Sequence, residues 1–548
     1  LLYLFLNGIM RLFFTVGFIS CILIISLFIS FYFKYSFLDL SFIIMLEKKM
    51  ELKSRVVSIW FLMAFFTVSG MMAQVDIRNI TFRGRVQDIS GRGIANVSVS
   101  DGLNIVQTNN KGVYQLLSTA EANYVFISIP SGYEVPFKDN APHFFRKVPE
   151  EYSSKQIVNF ELKRKKEEEK QHVIIVWADP QVYYLDEIPE LQEAADDVKE
   201  LLSLNYKDVP AHGLVAGDMI GWLKDADTLY EPIKRTINSI GVPFFYAVGN
   251  HDMDTNSRTN YSSKKTYNRY FGPTYYSFNR GDIHYIVLDN VFYIGRGGSS
   301  IGYLDERQFA WLEQDLKTLA EGSTVIITMH IPTYSPDARN GAFHKEQMNK
   351  VLQNRSAFYK MLEPFNVHLF SGHEHYTENY EINKTIFEHV HTSLGGFFWM
   401  APWSWDGSPR GYGVYEVDGD NVEWYFKPIG KSKEHQFNVY PVGSNSHKEE
   451  AIVVNVWNYD PSWKIYWYED GVKMGEMEQF RGYDSSIYNY VNKNKENFNH
   501  PGIGYALTDH LFFAIPKVKS RSIKVKVVDR FGNVYIQEIE NKKDANTL

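Results

Sequence analysis

The chain is 548 residues long, a length that sets an expectation of about three domains. Its 64 acidic and 57 basic side chains leave a net charge of −7, which excludes a general nucleic-acid-binding surface, since such a surface needs basic stripes. A single cysteine, Cys21, excludes a disulfide framework, a zinc–thiolate site and a cysteine nucleophile.

Residues 1–73 hold two apolar stretches. Leu12 to Phe33 is long enough to span a bilayer. Val56 to Val68 is shorter, follows Lys53 and Arg55, and precedes the small residues Ser69, Gly70 and Ala73. That order describes a secretory signal peptide over 50–73. It predicts an exported chain, periplasmic or at the cell surface. Residues 1–49 are then an extension upstream of a true start at Met50, or a membrane segment. Contact with a membrane is expected only if that segment is retained.

From 74 to 165 short alternating runs are broken by turn residues, among them Ile80–Val86, Ile94–Val99 and Tyr124–Ile129. This spacing predicts an antiparallel β-sandwich. The arrangement resembles carboxypeptidase-regulatory-like or transthyretin-like modules, and a spacer or docking role is expected. The charged run Lys163–Lys170 nearly cancels and marks a linker at 166–171.

Residues 172–395 carry the chemistry. Apolar positions at Ile188, Leu191, Ala195, Val198 and Leu202, and at Phe309, Leu312, Leu316 and Leu319, have helical spacing. Between such helices lie short apolar runs, which implies an α/β layered fold with ligands beyond the carboxyl ends of the strands. Five runs end in polar clusters. Val173–Trp177 leads to Asp179 and Gln181. Leu214–Ala216 leads to Gly217-Asp218. Phe244–Val248 leads to Gly249-Asn250-His251-Asp252. Val325–Met329 leads to His330. Val367–Phe370 leads to Gly372-His373-Glu374-His375. Each alone is an ordinary turn; five in succession point to divalent metal. Imidazole with carboxylate or amide oxygen suits zinc, iron and manganese. Two such ions repel, so a bridging carboxylate is needed, and the pair can activate water and clamp a phosphoryl group.

This order of motifs resembles the calcineurin-like metallophosphoesterase superfamily, which includes the purple acid phosphatases. The resemblance implies a four-layer α/β fold, a double β-sandwich flanked by helices, with an all-β domain on each side. It implies that Asp218 bridges two divalent ions (manganese, zinc, iron or magnesium). Asp179, Gln181 and His375 complete one site; Asn250, His330 and His373 complete the other. His251 is no ligand; it stabilises the transition state or protonates the leaving oxygen, oriented by Asp252. Gln181 departs from the family pattern, which has histidine there. A neutral amide oxygen is a poorer donor, so the first site is expected to be weaker or to prefer a harder ion. The loop residues Tyr183, Arg258, Tyr334 and His344 are candidates to contact substrate, whereas His389 and His391 read as strand residues, packed on one face or exposed.

Residues 396–548 open with an aromatic-rich stretch. Its Asp406-Gly407-x-Pro409-x-Gly411-Tyr412 part is similar to a segment of secreted superfamily members, and Trp403 or Trp405 is placed to stack on a base or sugar. Alternating runs such as Ala451–Trp457 and Ser522–Asp529 then predict a second antiparallel sandwich. The β–catalytic–β order resembles a secreted Bacteroidetes-type subgroup. The expected activity is hydrolysis of phosphate mono- or diesters, with a small-molecule, glycan or nucleotide substrate. The alternative is a non-catalytic surface scaffold with a degenerate core.

Overall fold

The computed structural model describes residues 79–540 apart from 120–121, 150–154, 167–168, 296, 335–347, 495, 497–503 and 518–521. The expected signal peptide, the segment ahead of it and His344 lie outside the described residues.

Two sheets form the centre of the fold. The first contains β1 (Gln171–Trp177), β2 (Ala211–Val215) and β3 (Phe244–Tyr246), paired in parallel. The second is built on β4 (Tyr276–Arg280), β5 (Ile283–Val287), β6 (Thr324–Thr328), β7 (Asn366–Ser371), β8 (Glu378–Glu381) and β9 (Ile386–Val390), with β5, β6, β7 and β9 parallel.

Strand alternation explains the layers. Along β1, Ile174 and Val176 join the core that also holds Ile286, Ile326 and Leu369 of the second sheet. Val173, Ile175 and Trp177 point the other way, onto Leu191, Val198 and Ile233. Those residues lie on α1 (Ile188–Asn205) and α2 (Ala226–Asn238). A strand covered on both faces has no polar side, which is why β1 reads as an unbroken apolar run. Pro189 starts α1 without losing a hydrogen bond, because the first helical N–H groups have no partner in the helix. The second sheet carries α3 (Glu306–Leu316), begun by Asp305 accepting from the Gln308 N–H at 2.8 Å.

The first sheet is completed from an unexpected place. β10 (Gly411–Asp418) pairs antiparallel with β1, and β11 (Asn421–Pro428) pairs with β10. Residues 411–428 therefore belong to this central sheet, not to the C-terminal sandwich expected from residue 396. Their alternating pattern around the Gly419 turn marks a hairpin but does not name its partner strand.

The N-terminal module is two four-stranded sheets around a shared core. It is not wholly antiparallel: Asn79–Asp88 is flanked in parallel by Lys155–Ile157 and Phe160–Leu162, because the chain returns to that strand only after a long excursion. The module docks on α3, where Trp311 Nε1 donates to Ser100 Oγ at 3.1 Å and Gln314 Nε2 to the Leu103 carbonyl at 2.7 Å.

The C-terminal module is two antiparallel four-stranded sheets. A buried polar link ties it to the loop after β7. Asp406 Oδ2 accepts from the Thr377 N–H at 2.8 Å and lies 3.2 Å from His510 Nε2. His510 Nδ1 lies 2.6 Å from Asn455 Oδ1. Asn455 donates its amide to Asp484 and to the Asp406 carbonyl, so its Oδ1 can only accept. His510 must then donate from both ring nitrogens, as an imidazolium. Burial pushes its pKa down, but the hydrogen bond and charge of Asp406, with Glu378 and Asp484 behind, outweigh burial and raise it. The unfolded value is about 6.5. The stabilisation is therefore full below that pH and fades as pH rises through the folded value. The loss of Tm in His510→Gln should be larger at about pH 5.5 than at about pH 8.5; equal losses at both would overturn the imidazolium assignment.

Candidate metal centre

All five polar clusters lie at the carboxyl ends of parallel strands: β1, β2 and β3 on one sheet, β6 and β7 on the other. The sheets pack face to face, so the clusters meet at one edge. Among the described residues, donor atoms of Asp218, His330 and His373 all lie within 4.8 Å of one another.

The backbone pays an unusual conformation for this. Asp179, Gln181, Asp218, His373 and His375 all have positive φ, between 38° and 69°. Such geometry is rare outside glycine and costs roughly 1 kcal/mol or more per residue. It turns each chain sharply at the strand end and carries the side chain back over it. Cross-bonds hold the turns: Gln181 N–H donates to the Asp218 carbonyl, and His373 N–H to Asp179 Oδ2, each at 2.8 Å. Gly249 is required by closeness, since a Cβ there would fall 2.1 Å from Asp218 Oδ1.

Two groups of side chains share Asp218. On one side Asp179 Oδ1 lies 3.5 Å from His375 Nε2, and Gln181 Nε2 donates to Asp218 Oδ2 at 3.2 Å. On the other, His330 Nε2 faces Asn250 Oδ1 at 2.9 Å, His373 Nδ1 at 3.1 Å and Asp218 Oδ2 at 3.3 Å. His330 Nδ1 donates to the Ala216 carbonyl at 2.8 Å. In the neutral ring, Nε2 then carries only a lone pair, and it faces two oxygens, Asp218 Oδ2 and Asn250 Oδ1. That arrangement suits a cation or a proton between them. Burial pushes the His330 pKa down, but the Asp218 carboxylate outweighs it and holds it at about 9. Asp218 is the converse: burial raises it, but the His330 and His251 charges win and hold it below the usual carboxylate range. Burial, then Lys350, keeps His373 far below its ordinary value, in the neutral form that binds metal.

On the first side, the buried Asp179 Oδ1 and Gln181 Oε1 have no hydrogen-bond partner. Unpaired buried oxygens cost about 1–3 kcal/mol each unless something binds them. The donor set therefore fits two divalent cations. Converting the neutral amide at 181 to imidazole should tighten the first site: Gln181→His is expected to bind zinc at least about tenfold more tightly in a calorimetric titration. Unchanged zinc and manganese affinities would mean that residue 181 does not ligate.

His251 and Asp252 part company. His251 donates its backbone N–H to Asp218 Oδ1 at 2.8 Å and its Nδ1–H to the Gly221 carbonyl at 2.7 Å. Asp252 does not orient the imidazole as expected. It accepts from the Gly249 and Met219 N–H groups at 2.9 and 3.2 Å and from the Tyr230 hydroxyl at 2.9 Å. Side chains of adjacent residues leave the backbone in different directions, and here the tight turn sends Asp252 inward. Burial, then the Asp218 charge, raises its pKa to about 6. Asp252 is thus a positioning residue for the turn, not a catalytic one.

An open cleft of about 660 Å³ lies over the centre, lined by Gln181, Asp218, Asn250, His251, His373 and His375. Of the proposed substrate contacts, Tyr183 and Trp405 line it; Trp405 stacks on His375 with centroids 4.9 Å apart. Trp403 and Tyr334 are not among the described lining residues. Trp403 packs edge-on against Tyr490, and Tyr334 edge-on against Tyr380. Arg258 is exposed and also away from the lining. Of the two readings open for His389 and His391, packing and exposure, the structure shows the first: both are buried. Sequence reasoning missed Tyr184, Glu187, Trp222, Lys350, Phe398 and Met400 in the lining. Trp222 had a usable signal: it lies four residues after Asp218 on the same strand-end loop.

Comparison with known proteins follows the three parts of the chain. The family model for calcineurin-like phosphoesterase matches residues 172–377. Models for the N terminal and the C terminal of calcineurin-like phosphoesterase match 80–165 and 388–535. Purple acid phosphatase 13 of Arabidopsis thaliana is 27% identical over 168 residues, which span 28% of this chain and 29% of that protein. Among solved structures, a dimetal phosphatase from Danio rerio aligns at 14% identity over 47% of this chain and 97% of its own, with a TM-score of 0.35. A purple acid phosphatase from yellow lupin seeds aligns at 14% identity over 60% and 67%, with a TM-score of 0.33.

Proposed function

Because the chain belongs to the calcineurin-like phosphoesterase family, a family of metal-dependent phosphoesterases, we propose that it hydrolyses phosphate mono- or diesters at a two-metal centre. The observation that carries this reading is the meeting of Asp218, His330 and His373 at strand ends, beside a cleft lined by His251. Asp179, Gln181 and His375 would hold one ion, and Asn250, His330 and His373 the other, with Asp218 between. When bound, such ions supply a water acidified to near neutrality and polarise the phosphoryl oxygens.

The protein's own groups do the rest. The Gly221 carbonyl fixes the proton of His251 on Nδ1, so Nε2 is the atom that exchanges a proton with the leaving oxygen. The Asp218 bond to the His251 backbone keeps that ring in step with the metal residues. Aromatic walls around the cleft limit water beside the reacting ester. Export, to the periplasm or cell surface, is part of the same proposal and rests on the signal pattern at 50–73.

The test is turnover of a chromogenic phosphate monoester, diester and pyrophosphate by protein loaded with manganese, zinc, iron, cobalt or magnesium in turn. Activity abolished by chelation and restored by one of these ions is expected. No turnover with any of them would favour the scaffold reading instead. Sequencing the mature N-terminus after expression in a Gram-negative host checks export; a terminus within about ten residues of Ala73 is expected.

A further inference from the structure

A run of aromatic rings crosses the cleft from His251 to His375. His251 meets Trp222 at 6.1 Å between centroids, Trp222 meets Tyr183 at 5.7 Å, and Tyr183 meets Phe398 at 5.8 Å. Phe398 meets Trp405 at 6.2 Å, and Trp405 stacks on His375. The rings differ in what they show to solvent. Tyr183 and Phe398 are 6% and 8% exposed, as wall residues should be, whereas Trp222 is 48% exposed. Met400 and Tyr184 beside the same cleft are also exposed. A large indole left half in water is not there for core packing, and an exposed apolar rim around a polar centre marks a binding surface.

We propose that Trp222 is a specificity residue that stacks against a six-membered ring carried by the leaving group, within one or two bonds of the ester oxygen. This rests on the phosphoesterase reading above and names the substrate class within it. The placement follows from His251. If its Nε2 gives the proton to the leaving oxygen, the group attached to that oxygen emerges on the His251 side of the centre. Trp222 is the ring in contact with His251 there. A ring joined closely to the oxygen can cover the indole face, while an acyclic chain of the same length cannot. Both an aryl group and a pyranose offer such a face, through π-stacking or through C–H groups over the indole.

The test uses stable phosphonates, so that binding is read apart from turnover. Calorimetry on the manganese-loaded protein compares phenylphosphonate, cyclohexylphosphonate and methylphosphonate. Phenylphosphonate is expected to bind about tenfold more tightly than methylphosphonate, with that ratio collapsing towards unity in Trp222→Ala and largely kept in Trp222→Phe. Cyclohexylphosphonate separates the two ring types: tighter binding than phenyl selects a saturated ring, weaker binding selects an aryl one, and equal binding means that the indole accepts either. A ratio unchanged in Trp222→Ala, or near unity in the wild type, overturns the proposal. A ring preference that depends on Trp222 in a protein without hydrolytic activity would uphold the binding surface and defeat the phosphoesterase reading, so the two failures are distinguishable.

Discussion

Replacing Asp218 by asparagine should weaken metal binding in both halves of the centre and lower kcat by about three orders of magnitude or more. Asp218 is the carboxylate in contact with both groups: Gln181 donates to its Oδ2, and His330 lies 3.3 Å from the same oxygen. Its Oδ1 meanwhile accepts the His251 backbone N–H. Asparagine keeps the size and the Oδ1 acceptor, so the turn should survive. What it removes is the negative charge that would offset two cations held close together. Elemental analysis of the purified variant should give at most one ion per chain, against two in the wild type, with Tm little changed. Two tightly held ions in Asp218→Asn would sink the bridging role.

His251→Ala should lower kcat by about 10²–10⁴-fold while leaving metal content at the wild-type value. The separation between ligands and His251 makes this a sharp expectation. Its Nδ1–H is committed to the Gly221 carbonyl, and its ring packs on Trp222. The remaining nitrogen is then free for proton transfer rather than for metal. The loss should grow with the basicity of the leaving group, because a nitrophenolate departs without a proton and an alkoxide does not. A loss of bound metal in parallel with activity, or a loss independent of the leaving group, would turn His251 into a structural residue.

Much of this centre was legible before any coordinates. Buried strands under two covering layers must be apolar throughout, so Val173–Trp177 and its counterparts stand out, and a ligand within a few residues of their ends inherits their position. Helix faces were readable for the same reason: Leu191, Ala195 and Val198 recur at the spacing that the first sheet requires. What stayed hidden depended on direction or on distance. Asp252 follows His251 directly, yet the turn sends it to Tyr230 and Gly249, and adjacency carries no information about that. Trp403 and Trp405 are two residues apart in one loop, and that spacing does not tell which ring stacks on His375 and which packs on Tyr490. The place of Gly411–Pro428 was hidden for a similar reason, since hairpin spacing is the same whichever sheet receives it.

The pairing of β1 with β10 also bears on how the protein is made. During synthesis, Val176 waits for Gly413, and Gln171 for Asp418. Until then one edge of the strand that presents Asp179 stays open, with its N–H and C=O groups ready to pair with any other strand. Closing so long a loop is slow compared with local helix formation, and an open apolar edge in that interval invites aggregation. A ribosome-bound or truncated chain that ends before residue 411 should therefore be a substrate for holdase chaperones, and expression yield should fall abruptly, not gradually, as the C-terminal boundary is moved inward past β10.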